Sequence, residues 1–194
     1  MTRQLVLASS SRYRRALLER LRLPFTAASP DVDETPAAAE SPRAMVERLS
    51  QAKAAALSTR FSEALIIGSD QCVVQGDRII GKPGTHAAAR EQLKAASGQR
   101  VEVLTGLCLL DAATQATWLD VVTYEVEFRT LDDAEIERYL LAEQPYDCAG
   151  SIQSEGLGIA LLRHMRGDDP SALVGLPLIR LCEMLRAAGV SVPP

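Results

Sequence analysis

Three serines and a knot of arginines follow the first apolar run of the chain: Leu5-Val6-Leu7-Ala8, then Ser9-Ser10-Ser11-Arg12-Tyr13-Arg14-Arg15. The apolar run reads as a short buried strand, the serines as N-cap candidates, and Ala16-Leu17-Leu18-Glu19-Arg20-Leu21 as the helix they open. Arginines in a first helical turn face partial positive charge and unpaired N–H groups. An anion lodged among them, phosphate most naturally, resolves the conflict. The alternative is guanidinium groups pointing into solvent, at a cost of about a few tenths of a kcal/mol.

Carboxylates stand at two places that a fold of this kind exposes to a ligand. Leu65-Ile66-Ile67-Gly68-Ser69-Asp70 reads as a buried strand ending in a carboxylate, and open α/β sheets bind ligands beyond strand ends. Asp31, Asp33 and Glu34 crowd a loop held between Pro30 and Pro36. Such oxygen donors suit Mg²⁺ or Mn²⁺, which complete their shells on substrate phosphates. Taken singly, Asp70 can equally cap a turn and the acidic loop can simply be solvated. Lys53 sits among Ala52, Ala54, Ala55 and Ala56, and Lys82 lies between Gly81 and Pro83 in a tight turn. Each alone is an ordinary surface lysine; with Arg14 and Arg15 they make a cradle for a polyphosphate.

Other chemistries fail on the residues. Gly76-Asp77-Arg78-Ile79-Ile80-Gly81-Lys82 imitates a P-loop, but Pro83 stands where a hydroxyl should hold Mg²⁺ and has no N–H to aim at phosphate. Cys72, Cys108, Cys148 and Cys182 lack paired spacing, and His86 and His164 do not complete a zinc pattern or a nucleophile–base pair. Reduced thiols in a cytoplasmic protein are expected. A net charge of −4 and 4% aromatic content argue against a nucleic-acid polymer as partner. No apolar run reaches the length of a membrane span, so no membrane partner is expected.

The elements that must position these groups alternate between helix and strand without a linker or repeat, which indicates an α/β fold around a mixed sheet. At 194 residues and 47% hydrophobic content the chain can bury one core, or two small lobes sharing a cleft. Residues 24–28 read as a second strand; Ser41 and Pro42 open a helix running to about Leu57; Thr85 caps another ending near Gly98. Gln75-Gly76-Asp77 reads as a turn between two short strands, and the stretches Arg100 to Leu110 and Thr117 to Phe128 alternate as a long antiparallel pair. Asp132 to Ala142 and Pro177 to Ala188 complete the helices, with Ser151 to Leu162 a loop feeding a strand.

Ser9 to Arg15, Asp33-Glu34-Thr35, Lys53-Ala54, Gly68-Ser69-Asp70-Gln71, Gly81-Lys82-Pro83, Ala149-Gly150-Ser151 and Gly175-Leu176-Pro177 fall in the order and spacing of one family. The chain resembles the Maf-like nucleoside triphosphate pyrophosphatases over nearly its whole length, closest to the 7-methyl-GTP branch because Gln71 follows Asp70. The resemblance implies a single Maf-like domain over residues 1–194, a mixed twisted sheet with flanking helices, and two lobes around a central cleft. It implies metal-dependent hydrolysis of a nucleoside triphosphate between the α and β phosphates, with Mg²⁺ or Mn²⁺ as cofactor. By position, Asp70 corresponds to the proton acceptor that activates water. Ser9, Arg14, Lys53 and Lys82 fall on phosphate-handling positions, Glu34 and Asp70 on metal-handling ones, and Tyr13, Gln71 and Glu155 on those of base selection. A small-molecule nucleotide is the implied partner, with a possible homodimer.

A methylated guanine suits that trio. N7 methylation makes the base cationic, which an aromatic face attracts, and Glu155 could accept from the guanine N1–H and exocyclic amine. Tyr13 packing on its own helix and a solvated Glu155 is the plainer alternative. The chain departs from the family pattern at Arg12, where Pro is common, at Tyr13, where the branch often has Trp, and at Ala52, where an acid often stands. The expected activity is hydrolysis of 7-methyl-GTP or a related modified nucleotide. Its rivals are the same reaction on dTTP or UTP, and a cell-division regulator that binds nucleotide without hydrolysing it.

Overall fold

The computed structural model describes residues 3–194. In chain order the elements are β1 (Leu5–Ala8), α1 (Arg12–Glu19), β2 (Phe25–Ala28), α2 (Pro42–Ala55), β3 (Leu65–Gln75), β4 (Arg78–Ile80), α3 (His86–Ala96), β5 (Arg100–Asp111), β6 (Thr117–Phe128), α4 (Asp133–Glu143), β7 (Leu162–Arg166) and α5 (Leu178–Ala187). Short 3₁₀ turns cover Ala149–Ser151, Leu157–Leu161 and Pro170–Val174. The strands form one mixed sheet in the order β2-β1-β3-β5-β6-β7, with β4 paired to β3. Contacts group the residues into two compact units: one of residues up to Gln71, Leu104–Val122 and Asp169–Pro194, the other of Cys72–Val103 and Thr123–Asp168.

In the first unit β1 lies parallel between β2 and β3, with Leu5 opposite both Phe25 and Leu65. Strand side chains alternate between faces, and here both faces are dry. Leu5 and Leu7 join Leu17, Leu18 and Leu181 in one buried cluster. Val6 and Ala8 join Ala54, Ile66 and Cys108 in another. Each fully buried Leu contributes roughly 1.5–3 kcal/mol relative to exposure. Two glycines let α2 settle onto the strands at backbone distance: a Cβ on Gly68 would collide with the Ser50 carbonyl, and one on Gly106 with the Val46 carbonyl.

The second unit is antiparallel. Val73 pairs with Ile80 and Gln75 with Arg78 across a turn that holds Gly76 at φ 59°, and β6 pairs with β7 through a register shift at Glu127 and Phe128. Thr85 and Asp132 cap α3 and α4 by accepting from Ala88 N–H and Glu135 N–H. Apolar side chains, among them Val73, Ile80, Val101, Val103, Val126 and Phe128, line a small pocket inside this unit.

One expectation changes. Asp70 does not end its strand: β3 continues five residues further to Gln75 because its second half pairs with β4. The buried run and the hairpin arm that follows are one strand, not two. The four cysteines are free thiols, Cys72 and Cys108 buried and the other two partly so. Burial without a compensating charge pushes the Cys108 thiol up to about 12. Among the described residues no helix is long and apolar enough to cross a membrane.

Candidate active site

Ser11 proves to be the N-cap of α1, its side chain accepting from Arg14 N–H at 3.3 Å, while Ser9 Oγ at the end of β1 accepts from Ser11 N–H at 3.1 Å. Arg12, Tyr13, Arg14 and Arg15 fill the first turn, and no acidic residue stands there to offset the helix dipole. Arg14 turns its Nε–H onto the Gly175 carbonyl at 2.8 Å. Burial lowers its pKa from the ordinary arginine value, and the fields of Asp70 and Glu34 oppose that shift. Both carboxylates therefore act on the guanidinium.

Lys53 carries the closest contacts. It stands in the last turn of α2, where the helix dipole favours a cation. The tight seat of α2 on Gly68 and Gly106 brings its buried ammonium to 2.6 Å from Asp70 Oδ1. The same Nζ lies 2.6 Å from Glu34 Oε1. Asp70 is buried whereas the Glu34 side chain is 62% exposed, so one carboxylate is fixed in the protein and the other reaches in from a solvated loop. That loop is itself held. Arg48 of α2 grips Glu40 with both ends of its fork at 2.6 and 2.7 Å and donates to Thr35 O, and Glu40 accepts from Ala37 N–H. Within the loop Thr35 N–H donates to Asp33, and hydrogen bonding to Thr35 lowers the Asp33 pKa.

Gln71 follows Asp70 and faces a different set of groups. Its amide nitrogen donates to Thr105 Oγ1 at 3.0 Å and to the carbonyls of Ala172 and Leu173 at 2.8 and 3.2 Å. With the NH₂ committed, only its carbonyl oxygen remains to address a ligand. Tyr13 already has a cationic neighbour: the Arg12 guanidinium lies 4.8 Å from its ring centroid and donates to its hydroxyl at 2.7 Å. Ser9, Arg14, Glu34, Lys53, Asp70, Tyr13 and Gln71 thus belong to the first unit. Lys82, exposed in the turn after β4, and Glu155, exposed and accepting from Ser154 Oγ, belong to the second.

The residues that hold this arrangement went unread in the sequence. Buried Ser69 donates to the Gly106 and Gly175 carbonyls, buried Thr105 to Ala172 O, and Asp169 caps the turn before α5. The Asp169-Pro170-Ser171 run is a helix-start signal that could have been found, since an acid precedes a proline at N1. The Arg48–Glu40 pair has no such local signal.

A family model described as "Maf-like protein" matches residues 4–188. The chain belongs to the Maf family. Relatives named 7-methyl-GTP pyrophosphatase include one from Pseudomonas fluorescens, 57% identical over 97% of this chain and 98% of that protein. Others come from Nitrosococcus oceani, 54% identical over 97% of this chain and 94% of that protein, and Chromohalobacter salexigens, 55% identical over 98% of both. Among solved structures, the Staphylococcus aureus Ham1 protein aligns at a TM-score of 0.47 and 14% identity, covering 66% of this chain and 73% of that one. In this Maf protein the arginine-rich helix start, the α2 lysine and the β3 aspartate meet in one place.

The donor set also bears on a divalent cation. Among the described residues no three His, Cys, Asp or Glu side chains group as a self-sufficient metal site. Glu34 and Asp70, both within 2.6 Å of one ammonium, are two hard oxygen donors. That number fits Mg²⁺ or Mn²⁺ held by one or two carboxylates with substrate phosphates supplying the rest.

Proposed function

We propose that this Maf protein hydrolyses the α–β phosphoanhydride of 7-methyl-GTP or a closely related modified nucleoside triphosphate, releasing the nucleoside monophosphate and diphosphate. The observation that carries the reading is the buried Asp70 carboxylate held 2.6 Å from Lys53, with Glu34 on the same ammonium and Arg14 in the field of both. The names of relatives at 53–57% identity supply the substrate class.

In this reading Asp70 takes a proton from water, the water oxygen bonds to the α-phosphorus, and the bond from that phosphorus to the bridging oxygen breaks. Diphosphate leaves with the bridging oxygen. Arg14 and Lys53 offset the charge that builds on it, and Lys82 has the same assigned role. Ser9 hydrogen-bonds a phosphate oxygen. Glu34 and Asp70 would hold Mg²⁺ or Mn²⁺, whose contribution when bound is to neutralise phosphate charge. Gln71 presents its carbonyl to the base, and Glu155 is assigned to its N1–H and amine edge. A base reaching the Arg12-covered face of Tyr13 must displace that guanidinium.

Diphosphate release measured side by side on 7-methyl-GTP, GTP, UTP and dTTP, with metal varied, tests the reading. Preference for 7-methyl-GTP is expected, and Glu155→Gln should reduce that preference by roughly tenfold, the consequence of leaving donors on the base poorly paired. Equal or better turnover of UTP and dTTP overturns the substrate assignment. Saturable binding without diphosphate release from any nucleotide overturns the hydrolytic one.

A further inference from the structure

Asp169 is a buried carboxylate outside the proposed chemistry, and it accepts hydrogen bonds from two short stretches of chain. One oxygen accepts from Ser171 N–H at 3.1 Å and Ser171 Oγ–H at 2.5 Å. The other accepts from Ile179 N–H at 2.7 Å and Arg180 N–H at 3.3 Å. Ser171 Oγ in turn accepts from Leu178 N–H at 2.7 Å. Helix α5 begins after Pro177, which provides no side-chain cap, so Asp169 and Ser171 cap it from seven to eleven residues upstream. One carboxylate therefore ties the Pro170–Val174 turn to the start of α5.

The turn so fixed aims its carbonyls at the proposed site. Ala172 O accepts from Gln71 Nε2 and Thr105 Oγ1, and Leu173 O also accepts from Gln71. Gly175 O accepts from Arg14 Nε at 2.8 Å and Ser69 Oγ at 3.0 Å. Gly175 sits at φ 115°, a conformation that L side chains rarely adopt. Among the described residues the Arg14 guanidinium is held through Nε, which leaves the two amino groups of its fork for an anion.

We infer that Asp169 is a positioning residue: through the Ala172, Leu173 and Gly175 carbonyls it sets the orientation of Arg14 toward phosphate and of Gln71 toward the base. The inference rests on the proposed function for what Arg14 and Gln71 do, but not for the geometry. It also gives a purpose to the Gly175-Leu176-Pro177 motif.

A double-mutant cycle with inorganic diphosphate as the probe, read by calorimetry on the full chain, tests it. Asp169→Asn keeps the shape but presents an NH₂ group to N–H donors, and should weaken diphosphate binding about tenfold. Arg14→Ala should weaken it more, and the double variant should bind no worse than Arg14→Ala alone, because both changes act on one guanidinium. Losses that simply add overturn the inference. In turnover, Asp169→Asn should raise KM about tenfold and lower kcat as well, because Arg14 both binds the phosphates and offsets the charge that builds on the leaving diphosphate. A purely structural role instead lowers the active fraction and leaves KM unchanged, which also overturns it. Should Asp169→Asn not fold, Ser171→Ala removes one link of the same device and must show the same coupling at smaller size. Wild-type protein that binds diphosphate yet releases none from any nucleotide sinks the hydrolytic reading while the cycle still decides the role of Asp169. Wild-type protein that does not bind diphosphate overturns the inference itself.

Discussion

The two units bury different things. Among the described residues, Ser9, Ser50, Lys53, Ser69, Asp70, Thr105, Asp111 and Asp169 are buried polar or charged groups of the first unit, whereas the second buries Ser151 alone. Burying such groups costs free energy unless each finds a partner, so a unit that buries eight of them is organised around their contacts. The second unit is built by apolar packing around Phe128, Val101 and Val126, and its own assigned residues, Lys82 and Glu155, sit on exposed turns. Buried polar groups are thus concentrated in the first unit, which also carries its own apolar clusters: a change among those polar groups should damage reaction before stability, and one in the apolar core of the second unit the reverse.

The sharpest way to break that division is at Asp70. Asp70→Asn should lower turnover by roughly 10³-fold or more while the protein stays folded with only a modest fall in melting temperature, because the buried Lys53 ammonium keeps Glu34 as a partner, as read by diphosphate release and circular dichroism. Near-normal activity would remove Asp70 from the mechanism and the contrast with it. The converse change is Phe128→Ala in the second unit, which should lower stability by roughly 3–5 kcal/mol in urea unfolding. Turnover per folded molecule should be unchanged; a proportionate fall in kcat would show that packing and chemistry are not separable.

Lys53→Met sharpens the comparison because Lys53 belongs to both columns. Removing the ammonium leaves buried Asp70 without its partner and takes a cation from the leaving group. A loss of roughly 10²-fold in turnover and about 3 kcal/mol in stability is expected, the latter no larger because Glu34 is exposed. The smallest effect concerns the loop that carries Glu34. The Arg48 guanidinium holds the Glu40 carboxyl down at about 2, well under its ordinary 4.5. A depressed carboxylate pKa means stability that is full above the ordinary value and lost as pH falls from there toward 2. Urea unfolding between pH 5 and pH 2.5 should therefore show a slightly shallower acid loss in Glu40→Gln than in wild type, and identical slopes would dissociate Glu40 from acid stability.

How much of this was readable in advance differs by scale. The first helix and its arginines, the start of α2 and the Thr85 and Asp132 caps follow from local rules, because an N-cap oxygen and the apolar residues behind it lie within a few positions of each other. The apolar run before Asp70 marks a buried carboxylate at a strand end, whereas the strand runs on to Gln75 because Val73 and Gln75 pair with β4, a hairpin that the apolar run alone does not show. The sequence offers Tyr13 as a face for a cationic base or as a ring packed on its own helix; in the structure the cation beside it is Arg12 of that helix, an outcome of side-chain rotamers.

The sequence by itself determined which groups were on hand: seven motifs in family order, the cations at a helix start, the acids, and the Gly and Pro residues that fix turns. Only the tertiary structure decided that Lys53 would stand between Asp70 and Glu34, and that carbonyls near residue 175 would hold Arg14 and Gln71. The physical reason is range. Caps, turns and apolar periodicity act over a few residues, whereas a buried charge is stabilised by whatever partner the packing of distant elements brings within about 3 Å.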